Sequence, residues 1–292
     1  MTTLGEVLTR GDVAAASGKR HHARRVPSPA VALAAVTLLL VVVAAAWPDS
    51  LAGSAPDVTD LHAALDGPSW SHPFGTDQLG RDVLARVVHG ARASLLLGVG
   101  ASALGFTAGS ALGLAAALGG RLLDGMLMRI TDVLLAFPEL LLALLVIAVA
   151  GPGQVNALVA IAVASVPGYA RVARARALLV RQAGFVEGCV SVGVPRQVIV
   201  LRHMVPNALG PLLVLATVGV GTAIISGSAL SFLGLGSKPP TPEWGSMLAE
   251  GRTYLEIGWW VVLFPGAAIV ATVTSVTVLG RYAWTRTAGT TP

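Results

Sequence analysis

Apolar residues gather into six stretches near the length a bilayer demands. A hydrocarbon core about 30 Å thick takes roughly 20 helical residues at about 1.5 Å each. The stretches are Ala30–Trp47, Ala93–Leu118, Ile130–Ala150, Val155–Tyr169, Ala208–Leu230 and Ile257–Leu279. Gly, Pro and charged residues fill the segments between them, as suits exposed connections. The pattern predicts an all-α integral membrane protein of six transmembrane helices. The fourth stretch is short and is expected to end at Pro167-Gly168.

Basic residues orient these spans. Only Arg81, Arg86, Arg92, Lys238 and Arg252 of the 20 Lys and Arg residues fall on one side; the other 15 flank the opposite ends. Those 15 lie at the N-terminus, around Arg121, from Arg171 to His203 and at the C-terminus. Positive charge marks the cytoplasmic side, so the chain is expected N-in and C-in. Residues 1–29 then form a cytoplasmic tail and 30–292 the transmembrane domain. Arg24-Arg25, the apolar run and Ala44-Ala45-Ala46 also fit a twin-arginine signal with a cleavage site. The length of the run and Trp47 at its end favour a retained span.

Composition agrees. The chain is 54% hydrophobic and 12% charged, about half the charged share of soluble domains. Its apolar excess is Ala, Leu, Val and Gly, which suits packed membrane helices and a lipid environment. The net charge of +5 reflects orientation signals beside the spans rather than a nucleic-acid partner. A single cysteine, Cys189, excludes an intrachain disulfide.

Enzyme chemistry has nothing to stand on. Neither lysine, Lys19 or Lys238, sits in a Walker A loop, and no nucleophile elbow, H-E-x-x-H or C-x-x-C occurs. His72, Asp77, Asp82 and His89 are outward-side ligand types, but their spacing matches no standard metal set. No catalytic residue, cofactor or metal is expected in this chain.

The segment Gly168–Pro206, between the fourth and fifth spans, is the most informative. Arg171, Arg174 and Arg176 open it as basic helix at the headgroups. Phe185, Cys189 and Val192 recur at i, i+4 and i+7, which offers one apolar stripe on a short helix. Gly193 is suited to end that helix in a left-handed conformation, and Pro195 to begin the next at its first position. That next helix is expected to cover Pro195–Val205 and stop at Pro206, making a compact cytoplasmic knob.

At Glu187, Gly193, His203, Pro206 and Asn207 the chain resembles the inner-membrane permeases of ABC importers, which carry an E-A-A…G coupling motif and a His-x-x-Pro-Asn ending. Gly188-Cys189 stands where the family has two alanines; Gly in mid-helix costs roughly 1 kcal/mol against Ala, so the knob is expected to lean on its partner for order. The blocks His72–Asp82, Gly90-Ala91-Arg92, Arg129–Glu139, Leu230–Gly236, Pro242–Gly245 and Phe264-Pro265-Gly266 narrow the resemblance. They are similar to the C-type permeases of dipeptide, oligopeptide and nickel importers, over His72 to Leu279. Where that family closes with an Asn and an Asp-Pro tail, this chain has Thr277 and Arg281-Tyr282-Ala283-Trp284.

The resemblance implies a multi-pass subunit of the cell inner membrane. It would work with a second homologous permease, two ATPase domains holding ATP and Mg, and an external substrate-binding protein. A coupling helix formed by Phe185, Val186, Glu187, Gly188, Cys189 and Gly193, with His203 and Pro206, would meet the ATPases. Asp77, Arg81 and Asp82 are expected either to pair internally or, with Trp244, to dock the binding protein. Ser231–Gly258 reads as a re-entrant or cap-like element over the pathway, with Trp244, Trp259 and Trp260 as interfacial anchors. Gly105, Gly109 and Gly113 form a small-x-x-x-small seam, within the chain or with the partner permease. Glu139 is the most intramembrane ionisable residue, a pathway or seam group. The substrate implied is a di- or oligopeptide, with nickel or a metallophore as alternative. An ion-driven secondary transporter would need paired broken helices and more intramembrane carboxylates.

Overall fold

The computed structural model describes residues 28–288, with side chains through residue 286. Residues 1–27, including Lys19 and Arg24-Arg25 of the expected tail, lie outside the described residues. Among the described residues the regular secondary structure is helical, apart from one isolated bridge between Thr76 and Asp82. In chain order the helices are α1 (Pro29–Ala46), α2 (Pro48–Ala52), α3 (Val83–Leu118), α4 (Arg121–Leu135), α5 (Glu139–Ala150) and α6 (Gln154–Arg181). There follow α7 (Gly184–Ser191), α8 (Arg196–Val198), α9 (Val205–Phe232), α10 (Trp244–Gly251) and α11 (Trp260–Ala288).

Five of the described helical stretches are long and apolar enough to cross a bilayer: α1, α3, α6, the run Arg196–Phe232 and α11. The third expected span departs from this plan. Instead of one helix over Ile130–Ala150, α4 and α5 meet at a 96° bend. Pro138 explains the break: its ring forces the preceding residue away from helical geometry, and it becomes the N-cap of α5.

Two other prolines behave otherwise than expected. Pro167 lies inside α6, which runs on to Arg181, so Arg171, Arg174 and Arg176 continue this span rather than starting a separate helix. Pro206 does not stop its helix either; it sits in the first turn of α9. The preceding turns, Ile199–Met204, widen to a π register in which the Val205 N–H reaches the Val200 carbonyl. The register change carries the helix into Pro206, and the Asn207 side chain donates to the His203 carbonyl at 2.6 Å.

The core is built on α3 against α6, with α9 and α11 alongside and α1 on the outside of α3 and α11. Gly105, Gly109 and Gly113 settle the seam within the chain. A Cβ on Gly109 would fall 2.5 Å from Tyr169 Cβ and 2.7 Å from the Val166 carbonyl; one on Gly113 would fall 2.7 Å from Ala173 Cβ. The two backbones touch because no side chain stands between them. Gly109→Ala is therefore expected to cost about 1–3 kcal/mol and to lower the thermal midpoint of the purified protein. Gly125→Ala, with open space at its Cβ, should lower it little or not at all.

Candidate functional site

Two assemblies occupy opposite ends of α3. At its N-terminal end, three blocks distant in sequence converge. Asp77 Oδ1 accepts from the Leu79 and Arg81 N–H groups at 2.8 and 3.0 Å, and Oδ2 accepts from Arg81 Nε at 2.6 Å, closing a tight turn. Gly80 takes φ +70°, and a Cβ there would strike the Asp60 backbone, so the turn admits only glycine. Asp82 caps α3 by accepting from the Ala85 N–H at 2.8 Å and pairs with His72 Nδ1 at 2.8 Å.

The second block, around Glu243, is locked to the first helix of this end. The Glu243 carboxylate is buried, accepting from the Gly245 and Ser246 N–H groups at 2.9 and 3.0 Å and from Ser94 Oγ at 3.2 Å. It thereby caps α10 and fastens it to α3. Trp244 is buried, and its indole N–H donates to the Val87 carbonyl at 2.9 Å. Trp260, also buried, donates to the Thr76 carbonyl at 2.9 Å. From the third block, Phe264 stacks on Phe74 with ring centroids 3.8 Å apart.

These contacts correct two expectations. Trp244 and Trp260 are core anchors rather than interfacial ones; Trp259 alone of the three is exposed. Asp77, Arg81 and Trp244 are too buried to dock a partner, each being no more than 3% exposed. The internal pairing also considered for the acids and arginine is what the geometry contains. Sequence reading missed two members of the network: Arg86, 1% exposed, and Glu250. Glu250 accepts from Arg81 Nη2 at 2.8 Å and from Arg86 Nη2 at 3.4 Å, while Arg86 Nε lies 3.5 Å from Asp77. Two acids and two arginines thus neutralise one another in a shared pocket, and α10, α3 and the preceding loop cannot separate without baring charge.

At the other end of α3 sits the knob. Helix α7 ends as its sequence predicts: Gly193 adopts φ +76°, its N–H bonds to the Val190 carbonyl at 3.0 Å, and the Val194 N–H reaches Cys189 at 3.0 Å. This pair of bonds is a Schellman cap. Pro195 is the N-cap of α8, one position before the first-turn place expected for it. The buried face of α7 also differs from the expected stripe. Val186 is buried and Cys189 partly so, against Ile199, Met204, Leu118 and Val180, whereas Phe185, Val190 and Val192 are exposed. Val186 and Cys189, at i and i+3, share the face of α7 that packs on Ile199 and Met204.

The knob is tied to three long helices at once. Its apolar cluster takes Leu118 from α3 and Val180 from α6, and the π turn continues into α9. Arg196 Nη2 donates to the Leu118 carbonyl at 2.9 Å. Arg174 holds Asp124 with a second bond at 2.6 Å, and Arg171 pairs with Asp132, so α4 is clamped to α6. The sequence presents these arginines first as orientation signals and second as ATPase contacts; the partner acids on α4 give them a structural task as well. Glu187 is exposed and forms no ion pair among the described residues. Gly188 has open space around its Cβ. Gly188→Ala should therefore stiffen α7 by roughly 1 kcal/mol, read as about fivefold slower amide exchange across Phe185–Val192.

Between these ends α3, α5, α6 and α9 enclose a cavity of about 400 Å³, open on one side. Glu139, first residue of α5, lines it together with Ser102, Tyr169 and Thr222.

Comparison with known proteins places this architecture. Residues 109–287 match the family described as binding-protein-dependent transport system inner membrane component. The chain is 40% identical over 251 residues, 85% of its length and 83% of the relative's, to a dipeptide transport system permease protein DppC of Alkalihalophilus pseudofirmus. It is 40% identical to the probable D,D-dipeptide transport system permease protein DdpC of Escherichia coli, covering 87% of this chain and 85% of the relative. It is 39% identical to the di/tripeptide transport system permease protein DppC of Pseudomonas aeruginosa, covering 83% and 82%. Among solved structures, a chain of the MetNI methionine ABC transporter in an inward-facing conformation shares the fold, with a TM-score of 0.54 at 21% identity, over 69% of this chain and 95% of that one. The apolar helices, the family match and the length of these alignments leave one conclusion: the chain belongs to the inner membrane components of binding-protein-dependent transport systems, as a multi-pass ABC permease.

Proposed function

We propose that this chain forms one half of the membrane passage of an ATP-driven importer of short peptides. Relatives named for dipeptide, D,D-dipeptide and di/tripeptide transport support the substrate class. The bent pair α4–α5 counts as the third of six spans, and both termini face the cytoplasm with the knob. A second homologous permease completes the passage, an external binding protein delivers substrate, and two ATPase domains bind ATP and Mg and receive the knob.

The observation that carries this reading is the attachment of α7 to α3, α6 and α9 by one apolar cluster and the Arg196 bond. A push on α7 is delivered to three spans together, which suits rigid-body gating by a motor. Phe185, Glu187 and Val190 face outward, free for an ATPase groove. Gly193, His203 and Pro206 serve behind them, shaping the turn and the return into α9.

Reconstitution with the partner permease, ATPases and binding protein tests the proposal. Peptide uptake should require ATP and binding protein and ignore a proton gradient. Uptake that follows the gradient without ATP would establish an ion-driven transporter instead.

A further inference from the structure

The cavity beside Glu139 has a chemical bias. Its walls are largely apolar, from Leu134, Phe137, Leu142 and Ile161, and no Lys, Arg or His lines it. Its hydroxyls already spend their protons inside the protein. Ser102 Oγ donates to the Ala216 carbonyl at 3.0 Å, Ser165 Oγ to Ala162 at 2.8 Å and Thr222 Oγ1 to Gly219 at 2.9 Å. Tyr169 Oη lies 3.3 Å from Ser102 Oγ, and with the serine proton engaged elsewhere the tyrosine is the donor of that pair. What each hydroxyl has left to offer is a lone pair, and the carboxylate of Glu139 offers only acceptors. Its side chains are thus rich in acceptors and poor in free donors, and Glu139 is the one carboxyl group among them.

We propose that Glu139, with Tyr169, forms a subsite that receives the protonated amino terminus of the peptide in transit. This rests on the reading of the chain as a peptide permease. An ammonium brings three donors and one positive charge, which match the side-chain lining; a carboxylate or phosphate would find no cationic side chain there. A volume of about 400 Å³ falls in the range of small-ligand sites, roughly 300–1,000 Å³. The apolar walls accept varied side chains while the charged end alone is read, so the subsite selects for a free amino terminus rather than for a sequence. Glu139 sits where the chain breaks between α4 and α5, so its carboxylate is placed by the Pro138 bend.

The test uses the complete reconstituted complex and two probes, alanyl-alanine and N-acetyl-alanyl-alanine, each at concentrations that saturate the binding protein. The wild-type complex should transport the free dipeptide at least about tenfold faster, the scale of one charge-assisted hydrogen bond. Glu139→Gln should bring the two rates within about twofold, Glu139→Asp should retain much of the preference, and Tyr169→Phe should reduce it about threefold. If Glu139→Gln fails to assemble, Tyr169→Phe carries the decision alone. A wild-type preference that survives Glu139→Gln, or survives Tyr169→Phe where the former cannot be made, overturns the subsite. A wild-type complex that moves neither probe counts instead against the peptide-permease reading.

Discussion

Arg81→Met is expected to be the most damaging single change at the N-terminal end of α3, costing about 3–5 kcal/mol. Arg81 bonds both Asp77 and Glu250, and both side chains of the Arg81–Asp77 pair are at most 4% exposed. Its removal leaves two carboxylates sharing only Arg86, at 3.4–3.5 Å, and one net negative charge without water. The outer loop should then open to protease between residues 53 and 82, and the thermal midpoint should fall. Adding Asp77→Asn should recover part of the loss, because it removes the stranded charge; non-additivity of this kind marks a direct pair. If Arg81 acted by docking the binding protein, the same substitution would weaken that protein's affinity and leave the permease as stable as before.

The second large effect belongs to the knob. Glu187→Arg combined with Gly193→Val should lower peptide uptake at least about tenfold while the assembled ATPases keep hydrolysing ATP. The charge reversal alters the outward face of α7. The valine cannot hold φ +76° without a strain of roughly 1–2 kcal/mol, so the Schellman cap opens and α7 loses its angle to α8. Membrane insertion should be unaffected, since neither residue lies in a span. Uptake and hydrolysis that stay in proportion would remove this element from the coupling path.

The apolar runs were enough to find five long apolar helices, because a bilayer imposes a length on every crossing helix; the third stretch is instead a pair of helices at a 96° bend. Their ends were harder. Ala93 looked like the start of the second span because Arg86, His89 and Arg92 precede it, yet α3 begins at Val83: Arg86 is neutralised inside the buried network and His89 bonds the Ala85 carbonyl at 2.8 Å. Prolines misled in both directions. Pro138 breaks a stretch that hydropathy joins, while Pro167 and Pro206 lie within helices. Gly193 was legible because a left-handed helix end demands a residue without a Cβ. The buried network at the N-terminal end of α3 was only half legible: Asp77 and Arg81 are neighbours in sequence, whereas Glu250 joins Arg81 from 169 residues away. Nothing local in α10 announces that partnership.

Cys189, the chain's single cysteine, permits a direct test of the central claim that α7 faces the cytoplasm and meets the motor. Cys189→Ala with Val190→Cys places one exposed thiol on α7, since Val190 is 62% exposed. In oriented vesicles a membrane-impermeant maleimide should reach this thiol only from the cytoplasmic face, and only after the ATPases have been stripped away. Labelling from the external face, or labelling indifferent to bound ATPases, would contradict the account.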